Sequence, residues 1–283
     1  MSHDYSSEET IFVAGTGRSG TTWVGEVLAS QIGYTLIDEP FNVGPNLNWR
    51  PAEFGFEKVN YWANGHSKSL EEYVMSVARG KELQVPWRKF KYLIRSDGYV
   101  VKAVLINPCF ADILNITGAE GVFVVRHPCG VVSSQIRHPG WSHFSKESRD
   151  LPQSVVERYP HFREVFESVS SQEELLAFWW AVENIIPLDE PKPYPWHVVA
   201  YESLVSRPII EFKKIIERIK NVEVKNKNLK KDVGKVSKST KEYSKPQARD
   251  PKVVWKNRLE DNQIDRIVEV VTRCGFDQWG LFR

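Results

Sequence analysis

Cysteine is scarce in this sequence, with three residues among 283. Cys109, Cys129 and Cys274 lie far apart, and none belongs to a Cys-x-x-Cys pair or to a cluster with the spacing of metal ligands. A disulfide scaffold does not fit a chain of this length, and an odd number of cysteines fits a reducing compartment. We therefore expect a cytoplasmic protein without a metal site.

Long apolar runs, a signal peptide and a strong net charge are also missing. No apolar run approaches the roughly 18 residues of a membrane span, and the first ten residues are polar and acidic, unlike a secretory signal. The formal net charge is only +2, and the sequence carries no recognisable nucleic-acid-binding motif. We therefore expect neither a membrane span nor a nucleic-acid partner.

Lysine is nevertheless concentrated in one region. Twelve lysines lie between Lys213 and Lys252, and residues 220–252 are so polar that we expect a solvated, Lys-rich loop there. A non-enzymatic protein that binds a polyanion is one hypothesis for this stretch. A flank of this kind would equally serve an acidic acceptor, so it does not decide the function by itself.

Short β-type runs alternate with helical patterns along the chain. The β runs lie at 11–14, 34–37, 100–105, 121–125 and 197–201, and the helical patterns at 21–32, 70–78, 130–136, 172–186, 209–219 and 262–274. This alternation predicts an α/β, P-loop-like, three-layer fold with a central, mainly parallel sheet flanked by helices. We interpret residues 1–283 as one domain with a flexible tail at 1–10. We expect loops at 42–64 and 139–160 to build an acceptor pocket.

A glycine loop between the first β run and the first helix is the strongest local pattern. Its glycines are Gly15, Gly17 and Gly20, with Arg18 among them. The backbone N–H groups of such a loop bind anions, and the dipole of the following helix assists. A simple turn would explain one glycine, but not three glycines followed by hydroxyl side chains at a helix start.

Other nucleotide-binding patterns share these glycines. They fit the G-x-G-x-x-G dinucleotide fingerprint, and Asp38 and Glu39 follow about 20 residues later, where a ribose-binding acid is expected. An NAD(P)-dependent oxidoreductase is therefore the alternative hypothesis. A P-loop NTPase is disfavoured because Thr21 stands where that motif has its Lys.

The side chains of the loop favour a small oxyanion as its ligand. A pyrophosphate is usually approached by bare backbone, whereas a cation with several hydroxyls suits a small charged group. The loop resembles the 5′-phosphosulfate loop of sulfotransferases that use 3′-phosphoadenosine-5′-phosphosulfate (PAPS). The resemblance implies transfer of a sulfuryl group from PAPS to an acceptor hydroxyl, with release of 3′-phosphoadenosine-5′-phosphate (PAP) and no metal. The loop residues that it implies in nucleotide binding are Gly17, Arg18, Ser19, Gly20, Thr21, Thr22 and Trp23.

A second element of the family is a strand followed by Arg and, eight positions later, by Ser on the next helix. Arg126 and Ser134 have this spacing, and the resemblance implies that they hold the 3′-phosphate, to which Arg offers a planar fork. Tyr201 begins a Tyr-Glu-Ser-Leu segment similar to the family's Tyr-Glu-Asp-Leu, whose Tyr lies near adenine. The segment that begins at Trp255 resembles the C-terminal end of carbohydrate sulfotransferases.

Sulfuryl transfer requires a cation at the leaving oxygen and usually a base for the acceptor hydroxyl. Arg18 stands where many family members have Lys. Lys102 lies in an apolar run, a costly position unless it reaches a partner or solvent, and the family has a Lys at the end of the comparable strand. The His that phenol- and steroid-type members carry two residues later is Val104 here. Carbohydrate-type members carry Glu-Pro after the second strand, so we predict Glu39 as the base and Asp38 as the second candidate.

The acceptor is expected to be a sugar, or a glycosylated or small metabolite, that carries a hydroxyl. Three histidines in the loops assigned to the acceptor are further candidates for the base, whereas His127 is expected to cap a turn. These loop histidines are His66, His138 and His143. The tryptophans that could stack on a sugar ring, or belong to the core, are Trp49, Trp62, Trp87 and Trp141. The sequence leaves the oligomeric state open.

Overall fold

The computed structural model of the protein describes residues 6–42, 68–82, 97–142, 144–148, 150–220, 226–234 and 252–276. Several residues named above lie outside the described residues: His66, His143, Trp49, Trp62, Trp87 and most of the 42–64 loop. All residues that we predict in nucleotide binding or catalysis lie inside them.

A parallel sheet of five strands forms the centre of the fold. The strands are β1 (Thr10–Ala14), β2 (Thr35–Asp38), β3 (Tyr99–Ala103), β4 (Glu120–Val125) and β5 (His197–Ala200). Their order is β2-β3-β1-β4-β5, and every neighbouring pair is parallel. The central strand β1 is buried along its whole length, as expected for an apolar strand covered on both faces.

Helices cover both faces of the sheet. They are α1 (Thr21–Ile32), α2 (Lys68–Ala78), α3 (Phe110–Thr117), α4 (Pro128–Ile136), α5 (Gln153–Arg158), α6 (His161–Ser168), α7 (Gln172–Leu188), α8 (Tyr201–Ser206), α9 (Pro208–Lys220), α10 (Asn226–Val233) and α11 (Asp261–Arg273). One buried cluster joins α2, α3, α4, α7 and α11 to one face, and a second joins α1, α8, α9 and α10 to the other. The three-layer α/β prediction is therefore confirmed. Within the described part of the chain, no helix combines the length and apolar character needed to cross a membrane.

Part of the Lys-rich stretch that we expected to be a loop is helical. α10 lies inside it and packs on α1, because Leu229 is fully buried in the core and Asp232 accepts hydrogen bonds from Ser30 (2.6 Å) and Gln31 (2.5 Å). One buried leucine among lysines is too weak a periodic signal to reveal such a short helix from sequence. The 139–160 stretch likewise contains α5 and two short 3₁₀ turns.

His127 begins α4 and joins it to the C-terminal segment. Its Nδ1 accepts the Cys129 N–H at 3.2 Å, as expected for a cap. Its ring stacks on Trp255, with centroids 4.7 Å apart and planes inclined by 15°. Burial, followed by the neighbouring charges of Lys256 and Arg126, lowers the pKa of His127 to about 4. The imidazole is therefore neutral at pH 7 and can remain an acceptor.

The stability of the fold should depend on pH through His127. Because the folded-state pKa of about 4 lies below the ordinary value of 6.5, the unfolded chain binds the proton more readily. The stabilisation is complete above pH 6.5 and is lost as the pH falls towards 4. We expect the free energy of unfolding to fall less between these pH values in His127→Asn than in the wild type, because Asn caps a helix without titrating. Urea unfolding of both proteins at pH 7 and pH 4.5 measures this, and equal losses in the two proteins would contradict it.

Candidate active site

The glycine loop, residues 15–20, follows β1 at the carboxyl edge of the sheet, and its carbonyl groups are engaged by the protein. The Thr16 carbonyl accepts from the Ser19 hydroxyl (2.6 Å) and the Ser19 N–H (2.9 Å). The Gly17 carbonyl accepts from Gln135 Nε2 at 3.1 Å. The Arg18 carbonyl accepts from Arg126 Nη1 at 2.9 Å. Negative ends of the peptide dipoles are thus turned towards protein donors.

Several amide groups of the loop and of the first turn of α1 face away from these donors and could bind an anion. Within the described residues, the N–H groups of Gly17, Gly20, Thr21 and Thr22 have no hydrogen-bond acceptor. Arg18 (φ 78°) and Gly20 (φ 99°) have left-handed backbone conformations, the alternation that builds a concave nest of N–H groups. Because the nest lies at the N-terminus of α1, the helix dipole adds to its attraction for negative charge.

Two buried amide side chains hold the loop from behind. Asn107 Oδ1 accepts the Gly15 N–H at 3.0 Å, and Asn184 on α7 donates to the Thr16 hydroxyl at 2.7 Å. Both asparagines are about 1% exposed. Sequence reasoning missed them and Gln135, although an amide side chain within the largely apolar second half of the helix that carries Asn184 was a usable signal.

Arginine, serine and aromatic side chains meet on the β4 side of the loop. Arg18 Nε donates to Ser134 Oγ at 3.1 Å. The Arg126 guanidinium lies over the Tyr201 ring, 4.3 Å from its centroid. A Cβ at Gly20 would lie only 2.6 Å from Tyr201 Cδ2, so only glycine lets this ring approach the loop. The predicted nucleotide residues after β1, β4 and β5 therefore form one cluster.

Trp23 also belongs to this cluster. The hydroxyl residues of the loop and of the first turn of α1 differ in their exposure. The Trp23 ring meets Tyr201 edge to face, with centroids 6.4 Å apart. Thr22 is partly exposed, whereas Ser19 and Thr21 are buried. The Ser19 hydroxyl donates its proton inside the loop and so helps to shape the turn.

A lysine and two carboxylates meet on the β3 side of the loop. Lys102 is 7% exposed, and its Nζ pairs with Glu39 Oε1 and with Asp38 Oδ1, the latter at 3.1 Å. Glu39 Oε2 also accepts the Val104 N–H at 3.1 Å. The side chain of Asp38 is 56% exposed and that of Glu39 only 17%. Glu39 is thus the more enclosed carboxylate and the better held.

The ion pair explains how a lysine is tolerated in a buried strand. Burial alone would lower the pKa of Lys102, but the charges of Glu39 and Asp38 outweigh it and raise the pKa. The ammonium is therefore charged at pH 7. Backbone geometry supports the pair as well, because Glu39 adopts a φ of 51° and donates its N–H to the Lys102 carbonyl at 2.8 Å.

Gly17 lies between the two clusters. A Cβ at this position would lie 3.0 Å from Trp141 Cζ2 and 4.0 Å from Val104 Cγ2. Val104 is also the residue whose N–H binds Glu39, so the carboxylate is one residue away from direct contact with the loop. Among the residues in the described ranges, no group of three or more His, Cys, Asp or Glu side chains could hold a metal ion.

His138, one of the alternative bases, has a packing role in the structure. Its Nδ1 accepts the Gly140 N–H at 3.0 Å, and its ring meets Trp141 edge to face. Neither contact involves the glycine loop, whereas the Glu39 carboxylate binds the backbone of a residue that packs on Gly17.

Comparisons with known proteins give the following likenesses. No protein-family model matches the chain, and no curated protein matches it by sequence. Similar folds occur in the sulfotransferase domain of the curacin biosynthetic pathway, with 15% identity over 93% of this chain and 96% of that one (TM-score 0.47). They also occur in the sulfotransferase domain of the Synechococcus PCC 7002 olefin synthase, with 16% identity over 95% and 97% (TM-score 0.47). Mouse sulfotransferase SULT7A1, complexed with PAP, is 13% identical over 95% and 85% (TM-score 0.47).

Proposed function

We propose that this protein is a sulfotransferase that moves a sulfuryl group from PAPS to an acceptor hydroxyl. The observation that carries the proposal is the arrangement around Gly17. An anion-binding loop has two arginines with a serine on one side and an enclosed carboxylate paired with a lysine on the other. Sulfuryl transfer needs positive charge beside the anionic leaving group and a base for the acceptor hydroxyl, which must lose its proton.

The β4 side suits the nucleotide part of PAPS. The 5′-phosphosulfate would bind the outward N–H groups of the loop, with Arg18 beside it. Arg126 and Ser134, both already in contact with Arg18, would hold the 3′-phosphate, for which a guanidinium is the best-matched side chain. Tyr201 and Trp23 offer aromatic faces for adenine on the same side.

The β3 side suits the acceptor. A hydroxyl held between Glu39 and the loop would give its proton to the carboxylate as its oxygen forms a bond to sulfur. The bond from sulfur to the 5′-phosphate oxygen breaks at the same time, and PAP leaves. Arg18 and Lys102 would stabilise the negative charge that collects on the departing oxygen. We propose a small hydroxyl-bearing molecule or a carbohydrate as the acceptor, met in the cytoplasm.

The strand order argues against the dinucleotide alternative. In the dinucleotide-binding fold the order is 3-2-1-4-5-6, so the acid after the second strand lies beside the glycine loop and can reach a ribose. Here β3 separates β2 from β1, and Glu39 is instead paired with Lys102 on β3. The Arg18 carbonyl of the glycine loop also accepts from Arg126, a contact that a pyrophosphate-binding backbone does not require.

Arg126→Ala should weaken PAP binding. We expect a loss of about 2–3 kcal/mol, since the variant removes a charge-assisted contact to the 3′-phosphate and the donor to the Arg18 carbonyl. Isothermal titration with PAP measures the loss. Arg137→Ala, which changes an exposed arginine at the C-terminal end of α4, is the matched control and should bind as the wild type does.

The same titration with 5′-AMP tests whether the 3′-phosphate is recognised. The wild type should bind PAP far more tightly than 5′-AMP, and Arg126→Ala should reduce this preference. Equal affinity of the wild type for the two nucleotides would refute the nucleotide assignment.

Glu39→Gln should separate chemistry from binding. The variant keeps the size of the side chain but cannot accept the proton, so kcat should fall by roughly 10²–10⁴, the usual contribution of a general base. PAP affinity should remain close to that of the wild type, because Glu39 lies on the other side of Gly17 from Arg126. The measurement is kcat with PAPS and an acceptor chosen from a panel of sugars, phenols and lipidic alcohols.

Asp38→Asn is the matched control, because it also removes a negative charge beside Lys102. It should retain most of the turnover, since the Asp38 carboxylate is exposed and the Val104 N–H binds Glu39 instead. A large loss in Asp38→Asn with little loss in Glu39→Gln would transfer the role of base to Asp38. A loss of nucleotide binding in Glu39→Gln would instead favour a ribose ligand and the dinucleotide hypothesis.

A further inference from the structure

A tryptophan that we expect to stack on a sugar ring or to belong to the core packs on the glycine loop. Trp141 ends a 3₁₀ turn that follows α4, and its Cζ2 and Cη2 atoms would lie 3.0 and 3.5 Å from a Cβ at Gly17. The indole edge therefore packs directly against the backbone of the loop. Gly17 is the residue that lies between the predicted oxyanion site and the Glu39–Lys102 pair.

The indole is held in this position by contacts at its backbone and its ring. The backbone carbonyl of Trp141 accepts from Gln172 Nε2 at 3.2 Å, and its backbone N–H donates to the His138 carbonyl at 3.0 Å. The His138 ring meets it edge to face, with centroids 4.9 Å apart. A large side chain anchored this way covers a fixed area of the loop rather than sampling solvent.

Val104 is a second apolar residue close to Gly17. Its Cγ2 would lie 4.0 Å from the same Cβ at Gly17, and its N–H is bound by Glu39. Trp141 comes from the segment after β4, and Val104 comes from the segment after β3. Two apolar side chains, one from the segment after β4 and one from the segment after β3, thus approach Gly17, the residue beside the proposed sulfuryl group.

An apolar cover at this position has a chemical consequence. Water is a competing acceptor: its oxygen can bond to the same sulfur while the bond to the 5′-phosphate breaks, giving sulfate, PAP and a proton. Exclusion of water from a site suppresses such side reactions. We propose that Trp141, with Val104, shields the sulfuryl group from water, so that transfer to the acceptor hydroxyl outcompetes hydrolysis. This inference rests on the proposed function.

Hydrolysis of PAPS in the absence of any acceptor tests the inference. Trp141→Ala should release PAP and sulfate about tenfold faster than the wild type, equivalent to about 1.4 kcal/mol of the barrier. PAP affinity should stay near that of the wild type, because the arginine contacts of the nucleotide side remain. Trp141→Phe keeps an aromatic cover and should hydrolyse PAPS nearly as slowly as the wild type. Trp141→Leu should fall between Phe and Ala, and it replaces Ala if that variant does not fold.

Phe166→Ala is the matched control for a general loosening of the fold. Phe166 is also a half-buried aromatic residue, and it packs on Phe178 and Trp179 of α7. This control should leave the hydrolysis rate unchanged. Equal hydrolysis rates in the wild type and Trp141→Ala would overturn the proposed shielding by Trp141, and so would an equal rise in Phe166→Ala. PAP binding by the wild type would still support the proposed function in either case. If the wild type does not bind PAP, both the proposed function and the role of Trp141 in excluding water are refuted.

Discussion

The inward orientation of the carbonyl groups in the glycine loop is the constraint on which the candidate site depends. A peptide group that turns its carbonyl outward repels an anion, so a loop of this kind needs donors on its inner side. Gln135 and Arg126 supply donors to two of these carbonyls, and Ser19 supplies them to a third. A buried unsatisfied carbonyl would cost about 1–3 kcal/mol, and these donors therefore fix which edge of each peptide faces the ligand.

Local sequence was sufficient to predict the elements that carry the site. An apolar run before a glycine loop, followed by helical spacing, predicts strand, turn and helix without knowledge of distant residues. The structure has β1, the loop and α1 at those places, and the predicted three-layer sheet is confirmed. The expectation that Arg126 and Ser134 lie beside the loop came from the resemblance to sulfotransferases, and both residues contact Arg18 in the structure.

Contacts over long separations in sequence were not predictable. Asn184 reaches Thr16 across 168 residues, and Gln135 reaches Gly17 across 118. Periodicity assigns each of these side chains to a helix but does not say which loop it meets. The position of β3 between β2 and β1 was likewise not predictable from local sequence. It decides that Glu39 pairs with Lys102, and no local pattern encodes it.

The strand order also separates charge across the loop. On the β4 side Arg18 and Arg126 carry two positive charges, while on the β3 side Lys102 is outweighed by Asp38 and Glu39. Under the proposed function, the first side would attract the nucleotide anion, and the second would leave the Glu39 carboxylate for a neutral hydroxyl. The lysine keeps the pair from becoming a purely negative site, which would oppose transfer of an anionic group. Lys102 would be unfavourable in an isolated apolar strand. Here its positive charge allows the Glu39 carboxylate to lie near the glycine loop, which we propose binds an anion.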